Sequence, residues 1–141
     1  MVFNTEQMLV DNFLSLLESN STPFGDVRFA CEIDYSRGRP DVVALTEDNR
    51  VIAFEAKLTD WRTALQQAYR NTCFAHQSFV LLPKTTALVA LNCLVEFEMR
   101  GVGLCYLDGS NGVVVLHDSP CAAPIEPWLA SQVIQQVHEC V

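Results

Sequence analysis

The spacing of apolar residues along this chain predicts an α/β fold in which a mixed β-sheet is flanked by helices. Three observations carry the prediction. Segments with apolar residues at every second position alternate with segments where they recur every three to four, in the order α-β-β-β-α-β-α-β-β-α. Some successive strands are separated only by short polar turns, whereas others have a whole helix between them. Half of the 141 residues are hydrophobic and mean hydropathy is +0.17, which excludes a disordered chain, while no apolar run is long enough to span a bilayer. The length suits one domain, residues 1–141, with a single core and no need of disulfides.

The first helix is expected over residues 5 to 18, where Met8, Leu9, Phe13, Leu16 and Leu17 recur at helical spacing behind Thr5, a candidate N-cap. Asn20 to Gly25 breaks it. Residues 27 to 35 read as a strand, 36 to 39 as a turn and 40 to 45 as the next strand, with Pro40 at its first position where no ladder bond is lost. A polar hairpin loop, 47 to 50, leads into a strand over 51 to 58. Thr59 or Asp60 can cap a helix whose core side is Trp61, Ala64, Leu65, Ala68 and Thr72. A short buried strand, 78 to 82, ends at Pro83. One helix is expected from about 86 to 99, stopped by Gly101. Strands at 102 to 107 and 113 to 117, joined by the turn 108 to 112, and a closing helix over 125 to 141 complete the chain.

Two of these strands carry charges that an apolar run does not want. Asp41 stands beside one, and Glu55 and Lys57 lie within the next. Two residues apart on a strand, Glu55 and Lys57 are expected to point to one side, with Ala56 facing the other way. Hairpin pairing would bring Asp41 alongside. Two carboxylates beside an ammonium suit a hard divalent cation held near a phosphate.

This arrangement resembles the PD-(D/E)xK nuclease superfamily, the fold of many restriction, repair and recombination nucleases, with Pro40-Asp41 as its PD and Glu55-Ala56-Lys57 as its (D/E)xK. The resemblance covers roughly residues 1 to 83. It implies a restriction endonuclease-like αβββαβ core, followed here by an additional helix, a hairpin and a C-terminal helix. It also implies a metal-dependent nuclease that hydrolyses DNA and leaves a 5′-phosphate. Asp41, Glu55 and the backbone carbonyl of Ala56 would face Mg2+ or Mn2+, and Lys57 would orient the attacking water. Members of the superfamily often place a further metal-associated Glu on the first helix, a place that Glu6 can take. Many also carry a Gln-x-x-x-Tyr element on the helix after the Lys strand. The side chains of that element face the site, so Gln67, which matches its Gln, is a candidate catalytic residue, and Asn71, which stands where the Tyr is expected, is a candidate substrate contact.

Arg37 and Arg39, in the turn before Asp41, and Arg62, at the start of the following helix, are the candidate phosphate contacts. The net charge of −8 weighs against strong DNA affinity, since neutralising phosphates supplies most of it. Between residues 37 and 70, however, six basic residues stand against five acidic ones, and two of those five are the candidate ligands. A homodimer or a partner protein is therefore a candidate source of affinity and specificity. The sequence does not separate DNA from RNA as substrate, and a nuclease-fold module that binds without cleaving is the alternative reading. The N-terminus shows no basic segment followed by an apolar one, so a cytoplasmic location and no membrane association are expected. Six scattered cysteines lack metal spacing and are expected to be buried free thiols.

Overall fold

The computed structural model describes residues 2–109 and 112–140. Helix α1 (Glu6–Glu18) is capped by Thr5, whose Oγ1 accepts the Met8 N–H at 3.0 Å, and it buries Leu9, Phe13 and Leu17. Strands β1 (Val27–Cys31), β2 (Val42–Thr46) and β3 (Val51–Ala56) follow. Asp60 caps α2 (Trp61–Arg70) by accepting the Thr63 N–H at 3.2 Å, and Trp61, Ala64, Leu65 and Ala68 are buried as the spacing requires. Beyond β4 (Gln77–Pro83) come α3 (Lys84–Ala90) and α4 (Leu94–Arg100), then β5 (Val102–Asp108), β6 (Gly112–His117) and α5 (Pro127–Cys140).

All six strands form one mixed sheet in sequential order. The first three are antiparallel, β3, β4 and β5 run parallel, and β6 returns antiparallel to β5. This topology brings the start of β2 and the C-terminal ends of β3, β4 and β5 to one edge, where open α/β sheets bind their ligands. One face of the sheet is covered by α1, around Phe13, Phe24, Phe54 and Phe79, whose ring centroids lie 4.7 to 5.7 Å apart along successive contacts. The other face carries α5 over β1 and β2, and α2, α3 and α4 over β4 and β5, with Trp61 stacked on Phe97 at 5.7 Å.

Several boundaries differ from expectation. The strand expected over 27 to 35 stops at Cys31, because Glu32 turns into the left-handed region (φ 53°) and starts an irregular segment in which Ser36 (φ 75°) does the same. The single helix expected over 86 to 99 is two, separated by a 3-10 turn at Leu91–Cys93, where the weak helix formers Asn92 and Cys93 stand. Gly101 closes the second in the left-handed conformation (φ 67°). The closing helix begins at Pro127, whose missing N–H costs nothing in a first turn. The turn expected at 108 to 112 includes Ser110 and Asn111, and the last helix was expected to reach Val141; these three residues lie outside those described. The cysteines are free, but only Cys105 is fully buried; Cys31, Cys121 and Cys140 are exposed. No described helix is long and apolar enough to cross a membrane.

Gly103 marks the tightest point of the sheet. A Cβ there would lie 2.5 Å from the Phe79 ring and 2.9 Å from the His117 carbonyl oxygen. Gly103→Ala is therefore expected to destabilise the protein by about 1–3 kcal/mol, read as a lower urea midpoint at unchanged slope.

Candidate active site

Pairing of β2 with β3 puts Val42 opposite Phe54, so Asp41, one residue before β2, falls beside the end of β3. Its Oδ2 accepts the Ala56 N–H at 2.8 Å. A ladder residue directs its N–H and C=O to the same neighbouring strand, so the Ala56 carbonyl faces the Asp41 side as well. Glu55 is buried, 4% exposed, and its Oε2 accepts the Asn71 Nδ2–H at 2.7 Å. The two carboxyls lie close enough for each to act on the titration of the other.

Their titration follows from this geometry. Burial raises Glu55 to about 8; the Asn71 amide opposes that shift, and the neighbouring Asp41 charge adds to it. Burial also raises Asp41, against the Ala56 N–H and the Lys57 ammonium, with Glu6 adding repulsion. Two acids in a poorly solvated place share a proton unless another positive charge serves both. A divalent cation fits that requirement. Each carboxyl has one oxygen on a protein N–H, and the donors are hard oxygens. Among the described residues no group of three or more His, Cys, Asp or Glu side chains forms a metal cluster. The protein's share of such a site would be these two carboxylates, with water and phosphate oxygens completing it, a division that suits magnesium.

Lys57 does not share a face with Glu55 in the simple way that strand alternation predicts. The strand ends at Ala56, and the Lys57 ammonium reaches 3.8 Å from Glu6 Oε1 on α1, the helix that packs against the opposite face from Asn71. Asp41 stands between, interacting with both Glu55 and Lys57. Glu6 thus lies at the site as an ion-pair partner of Lys57, and it lines a cavity of about 250 Å³ together with Asp41, Gln7, Val10, Cys31 and Glu32. A larger groove of about 570 Å³ follows the same edge from Leu58 and Thr59 to Lys84 and Asp108.

The remaining expected residues divide. Gln67 is half-buried on α2, one turn before Asn71, and makes no hydrogen bond to Asp41, Glu55 or Lys57. Asn71, expected at the substrate, is fully buried and holds Glu55 instead, because it closes α2 on the side turned to the sheet. Arg37 is claimed by Glu126, which it meets with two N–H groups, one at 2.8 Å. Arg62 lies over the Trp61 ring and pairs with Glu96 of α4 at 3.1 Å. Arg39 is exposed, 3.8 Å from Asp34. Of the candidate phosphate contacts, Arg37 and Arg62 are therefore engaged away from the carboxylates.

Two residues without a signature in the sequence stand at the site. Tyr35 Oη donates to Asn71 Oδ1 at 3.3 Å, and the Arg70 charge acts on it. The Arg70 guanidinium lies over Gly38, 2.9 Å from where a Cβ would be, and its charge acts on Glu55. Tyr35 follows Ile33 in an alternating apolar and acidic stretch, a pattern that carries no sign of its partner.

No family model matches the sequence, and no curated protein matches it. Among solved structures, a protein of unknown function from Silicibacter pomeroyi is similar over 99% of this chain and 88% of its own, with TM-score 0.69 at 14% identity. That likeness shows the fold. The structure of Pyrococcus furiosus SfsA in complex with Ca2+ is similar over 81% of this chain and 64% of that chain (TM-score 0.49, 10% identity). For a repair endonuclease from Pyrococcus abyssi the shares are 74% and 47% (TM-score 0.45, 13% identity). At that distance neither speaks to the chemistry of this site.

Proposed function

We propose that this chain is a single metal-dependent nuclease domain that hydrolyses phosphodiester bonds of DNA. The observation that carries the reading is the meeting of two carboxyls at one strand end, half-buried Asp41 on the Ala56 N–H and buried Glu55 on the Asn71 amide, with the Lys57 ammonium beside them on the Glu6 side. A buried Glu55 with a second carboxyl at its side is costly to keep for shape alone, since an apolar residue of similar size would avoid the desolvation. Bound Mg2+ or Mn2+ would polarise the phosphate and acidify a water. Asp41 and Glu55 would hold the ion. Lys57, carrying protons at Nζ and no acceptor, holds the attacking water and stabilises the charge that grows on the phosphate oxygens. Glu6 keeps that ammonium at the edge of the sheet. The groove lined by Leu58 and Thr59, the residues that follow Lys57 in the chain, would offer the substrate strand a path.

Purified protein with Mg2+ or Mn2+ is expected to nick at least one of single-stranded, duplex or branched DNA, leaving 5′-phosphates. Absence of cleavage on all three, with either ion, contradicts the enzymatic reading. A binding module without catalysis is the second reading, and the net charge of −8 favours it. It predicts DNA retention without cleavage and no uptake of the ion in the presence of DNA.

A further inference from the structure

Asn71 replaces the aromatic residue expected at its position, and its surroundings give it a different task. It is 0% exposed, so a substrate strand does not reach it. Its backbone is anchored, because its carbonyl accepts the N–H groups of Phe74 at 3.1 Å and Ala75 at 2.9 Å. Its amide is fixed from both ends. The Nδ2–H donates to Glu55 Oε2 at 2.7 Å, and the Oδ1 accepts the Tyr35 hydroxyl at 3.3 Å. With the oxygen engaged by a hydroxyl donor, the NH2 group faces the carboxyl. Tyr35 is itself held: it is 1% exposed, its ring packs against Phe74 at 4.5 Å, and its N–H donates to the Gly38 carbonyl at 3.2 Å.

We infer that Tyr35 and Asn71 form a positioning pair that fixes the Glu55 carboxylate for cation binding, an inference that rests on the metal-site reading above. One Glu55 oxygen is held by the amide, which stops rotation of the carboxylate and leaves the other oxygen to the ion. A ligand held this way loses less freedom when the ion binds, and removing such a support costs about 10–100-fold in metal affinity.

The test is calorimetric titration of Mn2+ into the wild type and into Glu55→Gln, Asn71→Leu and Tyr35→Phe, with thermal melts of each metal-free protein. Wild type is expected to bind and Glu55→Gln not to bind. Asn71→Leu is expected to weaken the Kd by about 10–100-fold, and Tyr35→Phe by a smaller factor in the same direction. Tyr35→Phe keeps the ring against Phe74, so it decides the matter if Asn71→Leu does not fold. If the wild type binds Mn2+ and Glu55→Gln does not, yet Tyr35→Phe and Asn71→Leu bind as tightly as wild type, Asn71 only fills the core and the inference is overturned. If the wild type binds no Mn2+, the metal-site reading fails and takes the inference with it.

Discussion

Asp41→Ala is expected to abolish cleavage and cation binding together, whereas Lys57→Ala abolishes cleavage and leaves cation binding in place. The two residues stand at the same strand end, where the Lys57 charge acts on Asp41, but they have different chemistry. Asp41 is a ligand candidate tied to β3 through the Ala56 N–H at 2.8 Å, and its loss leaves Glu55 as the only carboxylate of the pair. A single carboxylate is a weak holder of magnesium in water. Lys57 supplies a positive charge, so its removal makes the place more negative and does not weaken the attraction for a cation. It does remove the group that holds the water and meets the developing charge. Loss of one such donor costs about 10²–10³ in rate, and loss of the ion costs more. Single-turnover cleavage of end-labelled DNA, paired with Mn2+ titration of each variant, separates the two effects. Equal loss of ion binding in both variants would show that Lys57 acts on the site's structure and not on the reaction.

Raising the pH from about 4.5 to about 8 is expected to destabilise the metal-free protein, and Glu55→Gln to remove most of that slope. The sign follows from the direction in which burial moves the carboxyl. Glu55 has an ordinary value of 4.5 and stands at about 8 in the folded protein, with burial as the first cause. Between those values the folded state holds a proton that the unfolded state has released, so unfolding becomes easier as pH rises. Stability is full below about 4.5, where the carboxyl is protonated in both states, and the loss is complete above about 8. Every tenfold difference in proton affinity between the two states corresponds to about 1.4 kcal/mol, so the whole effect is of order a few kcal/mol, a large part of a small domain's stability. Mn2+ takes up the ionised carboxylates and is expected to restore stability most strongly at the upper end of the window. Urea unfolding at several pH values, with and without Mn2+, checks both statements. A stability that does not fall as pH rises in the metal-free wild type would contradict the burial of Glu55 as an acid.

Local chemistry explains what could be read from the chain before its fold. The caps at Thr5 and Asp60 and the stripes behind them mark α1 and α2 because both signals act within one or two turns. Asp41, Glu55 and Lys57 stand out because charge in an apolar run is rare and has few uses. What was hidden depends on partners far away in sequence. Arg37 and Arg62 look like free phosphate contacts until the segment just before α5 brings Glu126 and α4 brings Glu96. Asn71 reads as a substrate contact on helical spacing, yet its burial depends on how α2 seats on the sheet, and its partner Tyr35 lies 36 residues away. The early end of β1 rests on the left-handed turn at Glu32, a residue with no compositional mark of a turn.

If the Asp41 and Glu55 pair is a cation site with Lys57 beside it, anomalous diffraction from a crystal soaked in Mn2+ tests it most directly. One strong peak is expected within coordination distance of both carboxylates, with the Lys57 ammonium facing the water or phosphate side. A peak elsewhere, or none at this pair at a pH above about 8, where burial no longer keeps Glu55 protonated, would contradict it.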